Sequence, residues 1–419
     1  MCDKMGLSVL MVTPFFQPVV NGISVYVSHL VRGLDDQGVR VHVQTMRYGS
    51  HQAILSSDDH DLSISRFKSS PFFGGDSLNQ SVSLSFLKST IDSCDDFDVV
   101  HVHDFPKLLN DAVILALKRI KPAKVIVLTP HGAGLFSPTY ITSKTTGQQF
   151  EVPFHTGPLY SLQKAVSTAY WSSGIPLKVV NSADHLITVC PFQKEVFARI
   201  CGSQKISMIS EAVPACYFVN KPSFVEDDKL KILFIGRIIE EKGIRDLLYA
   251  VNSVSKISNN QIELRCAGPD YGFMEEALKI VKYLGLGTAV TMVGALSEDQ
   301  KMQNLRWCDV LVLPSYHEAF GIPIVEAMAH GKPVIATKTV GAISLIKHNE
   351  TGFLVDFCDP NGIANRLLQF VNNPTLKYDM GKKALVSSLP YSMQNMVQNH
   401  IDLYKKLVSA KLDNRNEAI

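Results

Sequence analysis

Two pairs of charged residues in the C-terminal half of the 419-residue chain have types and spacing that suit a phosphorylated, polyhydroxylated ligand. Glu318 and Glu326 bracket the segment Ala319-Phe320-Gly321-Ile322-Pro323-Ile324-Val325, shortly after the apolar run Val310–Leu313. A buried strand closing at Pro314, a short loop and a helix beginning near Pro323 would set both carboxylates at the carboxyl edge of a parallel sheet, where open α/β folds take ligands. Between them, Ala319, Phe320 and Gly321 can present backbone N–H groups beside a helix N-terminus, which suits a hydroxyl or phosphate oxygen. Gly321 has no side chain to obstruct that approach. Arg237 and Lys242 follow another apolar run, Lys231–Ile235, five residues apart, with Lys242 expected at the start of a helix. Two cations at a strand terminus beside helix N–H groups form a diphosphate cradle that needs no metal.

Ordinary structural roles compete with these. A glutamate in the first turn of a helix gains about 0.3–1 kcal/mol from the helix dipole. For Glu326 that account is incomplete, because Ile322, Ile324, Val325, Met328 and Ala329 leave little polar face around it. A carboxylate among apolar neighbours needs a hydrogen-bonding partner or suffers a desolvation penalty; ribose hydroxyls would be such a partner. Basic residues after a strand are usually solvated, so Arg237 and Lys242 gain weight from sharing a domain with the glutamates. His131, in Thr129-Pro130-His131-Gly132, reads on its own as a satisfied histidine in a Pro-Gly turn.

The elements that must position these residues alternate strand and helix. Leu7–Val12 is a continuous apolar run typical of a strand buried on both faces of a parallel sheet. Ile23 to Leu34 carries Val27, Leu30, Val31 and Leu34 at helical spacing, and Val39–Thr45, Val99–His103, Lys124–Leu128 and Leu186–Val189 read as further strands. The rhythm breaks over 214–229, with Pro214, Pro222 and Glu226-Asp227-Asp228, and restarts with strands at Lys231–Ile235, Ile262–Ala267, Val290–Val293, Val310–Leu313, Pro333–Thr337 and Gly352–Val355. The expectation is therefore an α/β protein of two Rossmann-like domains with parallel sheets: 1–213, a linker at 214–229, and 230–391. A final helix, within 392–419, is assigned back to the first domain. Residues 136–180 lack clear periodicity; a lid or insertion packing locally is favoured over an acceptor-binding or membrane-apposed segment.

Composition narrows the function classes. Lys and Arg number 41 against 39 Asp and Glu, a balance that disfavours nucleic acid as the main partner. The eight cysteines are scattered without a C-x-x-C pair, which fits a reducing compartment and gives a zinc site no support. No apolar run approaches the roughly 18 residues of a spanning helix, and Leu7–Val12 leads into Thr13-Pro14 rather than a cleavage site. A soluble, cytoplasmic protein is expected, with peripheral attachment to the cytoplasmic membrane face left open.

With these residues in view, the chain resembles the GT-B glycosyltransferases, specifically the retaining glycosyltransferase family 4 (glycosyl transferases group 1). Glu318 to Glu326 matches that family's E-x7-E motif, and Arg237 with Lys242 its donor-phosphate pair. The resemblance spans nearly the whole chain: Asn21-Gly22-Ile23-Ser24, Asp98 to Asp104, Thr129 to Gly132, Gly268-Pro269, Gly331 to Ile335 and Glu350 to Val355 also match. It implies two domains facing across a cleft, with the donor diphosphate between Arg237/Lys242 and the loop at Gly22, and closure about 214–229. It further implies that Glu326 holds the ribose, Glu318 a sugar hydroxyl, backbone near Leu296 the base, and His131 the underside of the donor sugar. Gly268 and the Ala319–Gly321 backbone complete the donor site.

The activity so implied is retaining transfer of a sugar from a nucleoside-diphosphate sugar, UDP- or GDP-linked, to a hydroxyl acceptor: a glycan, a glycolipid or a small metabolite. The family needs no metal and no cofactor. No carboxylate nucleophile is evident, so attack on the face from which the nucleotide leaves is preferred to double displacement. Asp96-Phe97-Asp98 imitates a metal-binding D-x-D, but Asp98 opens a buried strand. Two stretches depart from the family: Val340-Gly341-Ala342-Ile343-Ser344, where G-G-x-x-E is common, and Ser210-Glu211-Ala212-Val213-Pro214, where Asn-Gly is common. Alternatives are a sugar-nucleotide epimerase, a phosphorylase, or a catalytically silent sugar-nucleotide-binding protein. A NAD-dependent oxidoreductase is disfavoured because no strand is followed by G-x-G-x-x-G.

Overall fold

The first strand, β1 (Ser8–Val12), is buried at all five positions, as a continuous apolar run in a parallel sheet requires. The computed structural model describes residues 6–19, 22–47, 62–68, 70–71, 81–131, 140–142, 149–151, 172–219, 229–258 and 262–416. These fall into two units, one from Met1–Gly132, Gly157–Ala212 and Met393–Ile419, the other from Ala133–Thr156 and Val213–Ser392.

In the first unit β1 is followed by α1 (Gly22–Asp36), β2 (Arg40–Arg47), β3 (Ser63–Lys68), the short antiparallel pair β4 (Ser70–Pro71) and β5 (Ser81–Val82), α2 (Leu84–Ser93), β6 (Val99–His103), α3 (Leu108–Ile120) and β7 (Val125–Thr129). A second short antiparallel pair, β8 (Tyr140–Thr142) and β9 (Gln149–Glu151), lies in the segment grouped with the other unit. Then come α4 (Ile175–Ser182), β10 (His185–Thr188), α5 (Pro191–Cys201) and β11 (Ile206–Met208). The sheet order is β11-β10-β7-β6-β1-β2-β3, parallel throughout. Strand order reverses between β1 and β6.

The second unit contains β12 (Leu230–Ile235), α6 (Ile244–Ile257), β13 (Ile262–Ala267), α7 (Met274–Tyr283), β14 (Val290–Gly294), α8 (Glu298–Trp307), β15 (Val310–Leu313), α9 (Ile322–Ala329), β16 (Val334–Thr337), α10 (Val340–Leu345), β17 (Gly352–Val355), α11 (Pro360–Asn372) and α12 (Pro374–Ser388). Its sheet runs β14-β13-β12-β15-β16-β17, again all parallel, with the reversal between β12 and β15. This is the 3-2-1-4-5-6 order of dinucleotide-binding folds, in which ligands lie at the carboxyl ends of the strands flanking the reversal.

The last helix, α13 (Met393–Asn416), joins the first unit's core. Met396, Val397, Ile401, Leu403 and Tyr404 are buried in one cluster with Tyr26, Val27, Leu30, Val31 and Leu34 of α1. Lys411 also pairs with Asp184 at 2.8 Å.

Several elements differ from the periodicity reading. Residues 175–182, which begin inside the stretch without evident pattern, form α4, which starts from Gly174 in the left-handed region with Pro176 in its first turn. Most of the rest of 136–180, including Tyr160, Lys164, Tyr170 and Trp171, lies outside the described residues, as do 220–228 of the expected linker. Helix α8 has a weak apolar stripe and is marked instead by its start: Ser297 accepts from the Gln300 N–H while the Gln300 side chain accepts from the Ser297 N–H. That reciprocal cap, a Ser with Gln three residues on, is a sequence-level helix signal.

Candidate functional site

The two loops that flank the strand reversal of the second unit meet backbone to backbone. Beyond β12 the chain passes Gly236 and Arg237 into a single 3-10 turn, Glu240–Lys242, ended by Gly243 at φ 69°. A side chain at Gly243 would place its Cβ 2.0 Å from the Pro314 carbonyl oxygen, so only glycine allows this loop to lie on the exit of β15. The Tyr316 N–H donates to Glu241 O at 2.9 Å across the same seam.

That contact brings Lys242 to Glu318. Lys242 Nζ lies 2.6 Å from Glu318 Oε1, which also accepts from Ser315 Oγ at 2.9 Å, and both charged side chains are about six-sevenths buried. Glu318 precedes α9 rather than sitting in its first turn, and Glu326 lies mid-helix. The helix-dipole explanation therefore applies to neither. Lys242, expected at the start of a helix, is instead in the 3-10 turn just before α6.

The loop from Glu318 to Gly321 is fixed from outside. Gly341 N–H donates to Glu318 O at 3.1 Å, and the Phe320 ring is buried against Tyr391, centroids 5.8 Å apart. Gly321 adopts φ 100° as it enters α9, a backbone state that side chains disfavour. Among the described residues, the N–H groups of Ala319, Phe320 and Gly321 donate in no hydrogen bond. They form a short run of free donors beside the Glu318 carboxylate. Gly341 is also the one glycine retained in the stretch that departs from the family's G-G-x-x-E.

Glu326 is a buried carboxylate, as its apolar neighbours imply, but protein supplies a partner that the sequence reading did not include. Lys301 Nζ of α8 lies 2.7 Å from Glu326 Oε1 and 3.0 Å from Glu298 Oε1. The inference that Glu326 needs a ligand hydroxyl for compensation is thus corrected: Lys301 compensates the charge. Burial works against the Lys301 cation, but Glu326 and Glu298 more than offset it and hold its pKa above the ordinary lysine value. The capping box at Ser297 was the available signal for the helix that carries Lys301.

Arg237 remains at the surface, paired with Glu241 at 2.9 Å and 5.3 Å from the centroid of the Tyr271 ring. Gly268 follows β13 and its N–H donates to Gly294 O at 2.7 Å. Leu296 is half-buried immediately before the α8 cap.

Gly22 and His131 belong to the first unit. Gly22 is the exposed first residue of α1, and Val20 and Asn21 lie outside the described residues. His131 is 4% exposed and holds φ 48°, uncommon for a residue with a side chain. It is not a satisfied turn histidine. Its Nε2 lies 3.0 Å from His103 Nδ1, and Tyr26 packs edge-on at 4.7 Å between centroids. Gln193 Nε2 donates to its carbonyl oxygen at 3.2 Å. His103 Nε2 faces the Met11 sulfur at 3.2 Å. Sulfur here can only accept, so Nε2 carries the His103 proton and Nδ1 accepts from His131 Nε2–H. His131 Nδ1 makes no hydrogen bond, and Glu211 Oε1 lies 3.8 Å from it. Glu211 lies in the 210–214 stretch, one of the two that depart from the resembling family.

This histidine belongs to a larger ring network: His101 Nδ1 to Tyr404 Oη at 2.6 Å, His101 Nε2 to Thr129 Oγ1 at 2.7 Å, and Tyr26 Oη to His400 Nε2 at 3.1 Å. Burial, reinforced by neighbouring imidazoles, holds His101 and His103 well below the ordinary histidine pKa. Burial likewise lowers His400 to about 4, against the opposing effect of its Nδ1 hydrogen bond to Met396 O. Asp98 accepts from Ser8 N–H and Ser8 Oγ at 2.8 and 2.7 Å, which ties the starts of β1 and β6 together.

The family described as Glycosyltransferase Family 4 matches residues 20–215, and the family described as Glycosyl transferases group 1 matches residues 219–386. The chain belongs to the group 1, family 4 glycosyltransferases. The group 1 match contains Arg237, Lys242, Lys301, Glu318 and Glu326, and the family 4 match contains His131 and Glu211. A similar glycosyltransferase is the 2-deoxystreptamine N-acetyl-D-glucosaminyltransferase of Niallia circulans, 25% identical over 93% of this chain and 99% of that protein. In fold, the chain is similar to a sucrose-phosphate synthase from Thermosynechococcus elongatus, with a TM-score of 0.74, 21% identity, 96% of this chain and all of the other covered. It is also similar to HepE of Anabaena solved in complex with UDP-glucose, with a TM-score of 0.68, 17% identity, and 96% and 100% covered. This glycosyltransferase is thus a GT-B enzyme with a parallel sheet in each unit. Among the described residues no helix is long and apolar enough to cross a membrane.

Proposed function

We propose that this glycosyltransferase moves a sugar from a nucleoside-diphosphate sugar to a hydroxyl acceptor with retention of configuration, binding the donor mainly through its second unit. The observation that carries this reading is the 2.6 Å contact between Lys242 and Glu318. In such a donor the sugar is bonded directly to the diphosphate, so a phosphate-binding cation and a sugar-binding carboxylate must be immediate neighbours. Arg237 and Lys242 would take the diphosphate, the Ala319–Gly321 N–H groups an oxygen, Glu318 a sugar hydroxyl, and Glu326 the ribose.

As the glycosidic bond breaks, negative charge grows on the departing phosphate oxygen. A fixed cation or N–H dipole aimed there contributes about 3–4 kcal/mol in a dry site. This chain's own cations would supply that charge without a metal. His131 carries the remaining role, orienting the transferred sugar, and same-face attack fits the lack of an assigned carboxylate nucleophile. The UDP-glucose complex of the HepE neighbour supports a UDP-sugar ahead of a GDP-sugar. The acceptor is a glycan, glycolipid or small metabolite of the cytoplasm or its membrane face.

Thermal denaturation with UDP, GDP, ADP, their sugar conjugates and NAD tests this reading beside Arg237→Ala. One nucleotide family should stabilise the wild type, by about 2.7 kcal/mol at a hundred times its Kd, and stabilise the variant less. Stabilisation by NAD alone, or an identical response of the variant, rejects the assignment of the donor phosphates.

A further inference from the structure

Glu326 sits in α9 between Val325, Ala327 and Met328, all fully buried, and its own side chain is 5% exposed. An ionised carboxylate in such surroundings is tolerated only when paired. Lys301 is that pair, and it is itself held in place: Glu298 lies one turn earlier on α8, and the Tyr217 ring lies 5.4 Å from Nζ. Tyr217 Oη in turn donates to Glu298 Oε2 at 2.6 Å. Lys301 therefore sits between two carboxylates and against an aromatic face, with little freedom to turn away. Its bond goes to Glu326 Oε1, and among the described residues Oε2 accepts no hydrogen bond.

We propose that Lys301 is a positioning residue that compensates and orients the Glu326 carboxylate so that Oε2 accepts from a ribose hydroxyl, making the second unit select ribonucleotides over 2′-deoxyribonucleotides. This rests on the ribose role proposed above for Glu326. A carboxylate oxygen held at a fixed angle discriminates because a missing hydroxyl leaves it desolvated and unpaired. A carboxylate free to rotate finds another partner and loses that discrimination. A glutamate alone binds hydroxyls; the lysine determines how much the hydroxyl matters.

The test is calorimetric titration of UDP and 2′-deoxy-UDP, with the GDP and ADP pairs alongside, into wild type, K301M, K301R and E326Q. In the wild type the 2′-deoxy ligand should bind about tenfold or more weakly, the effect of one hydrogen bond to a charged group. K301M should collapse that ratio to about twofold or less, and K301R should preserve most of it. If K301M weakens UDP and 2′-deoxy-UDP equally, Lys301 is merely structural and the proposal falls. Should K301M fail to fold by its melting curve, K301Q decides on the same ratio, to which general loss of stability contributes equally in both arms. If no nucleoside diphosphate binds the wild type, or E326Q keeps the full ribo preference, the ribose assignment of Glu326 fails first.

Discussion

Around Glu318 and Glu326 the second unit keeps its polar groups charged and pairs them, whereas around His131 the first unit keeps them neutral and links ring to ring. The charged pairs, Lys242–Glu318 and Lys301–Glu326, join residues from different elements at or near the carboxyl ends of the strands. The rings of His101, His103, His400, Tyr26 and Tyr404 lie wholly inside the sheet–helix core. Burial penalises an imidazolium there, so these histidines stay neutral. The difference sets where each unit can keep a charged side chain. A site for a diphosphate must keep its cations, and the sheet edge, partly open to water, allows that at a tolerable desolvation cost. The interior network is suited to holding one residue, His131, in a strained backbone state.

The largest expected effect comes from breaking one charged pair. Lys242→Met leaves Glu318 with Ser315 alone, and truncating one partner of a buried pair costs about 2–5 kcal/mol. Donor affinity measured by titration should fall accordingly, and adding Glu318→Gln should restore part of the stability that the lone carboxylate loses. A Lys242→Met enzyme with unchanged donor affinity would end the assignment of this pair to the donor.

The opposite test applies acid to the neutral network. His400 titrates near 6.5 when unfolded and at about 4 in the fold. Between those values the unfolded chain binds more protons, so stability is complete above the unfolded value and is lost as pH falls toward the folded one. The loss is on the order of 3 kcal/mol for this side chain. Melting temperature recorded from pH 7.5 to 4.5 should drop, and His400→Gln should flatten the curve. An unaltered slope in that variant would separate acid sensitivity from the ring network.

The smallest effect sharpens the charged side. Ser297→Ala removes the cap of α8, worth about 1 kcal/mol, and loosens the helix that carries Lys301. A melting curve should register that shift, with nucleotide binding weakened less than by K301M. If binding drops as far as in K301M, helix order rather than the ion pair governs Glu326.

Much of the fold could be read from short stretches. β6, β13, β15 and β17 run over the residues that the apolar runs mark, and the other strands so marked differ by one or two residues at an end. The reason is local: a strand buried on both faces shows as a continuous apolar run whatever lies beside it. Where burial is one-sided or weak the pattern fades, as in α8, with two buried residues in ten, and in β3, with none. Of the candidate site, the residue types were legible and their partners were not. Lys242 and Glu318 are 76 residues apart, and His103 and His131 are 28 apart.

By itself the sequence determined the two αβ repeats, the glutamates on either side of a strand–loop–helix turn, and the cations after a strand, because each depends on neighbours within about one element. Only the tertiary structure decided that Lys242 meets Glu318, that Lys301 answers Glu326, that Glu211 faces His131 and that Tyr26 reaches His400 across 374 residues. Those pairings follow from strand order and helix packing. Burial makes each of them necessary, since a polar group removed from water must find its partner wherever the fold has brought one.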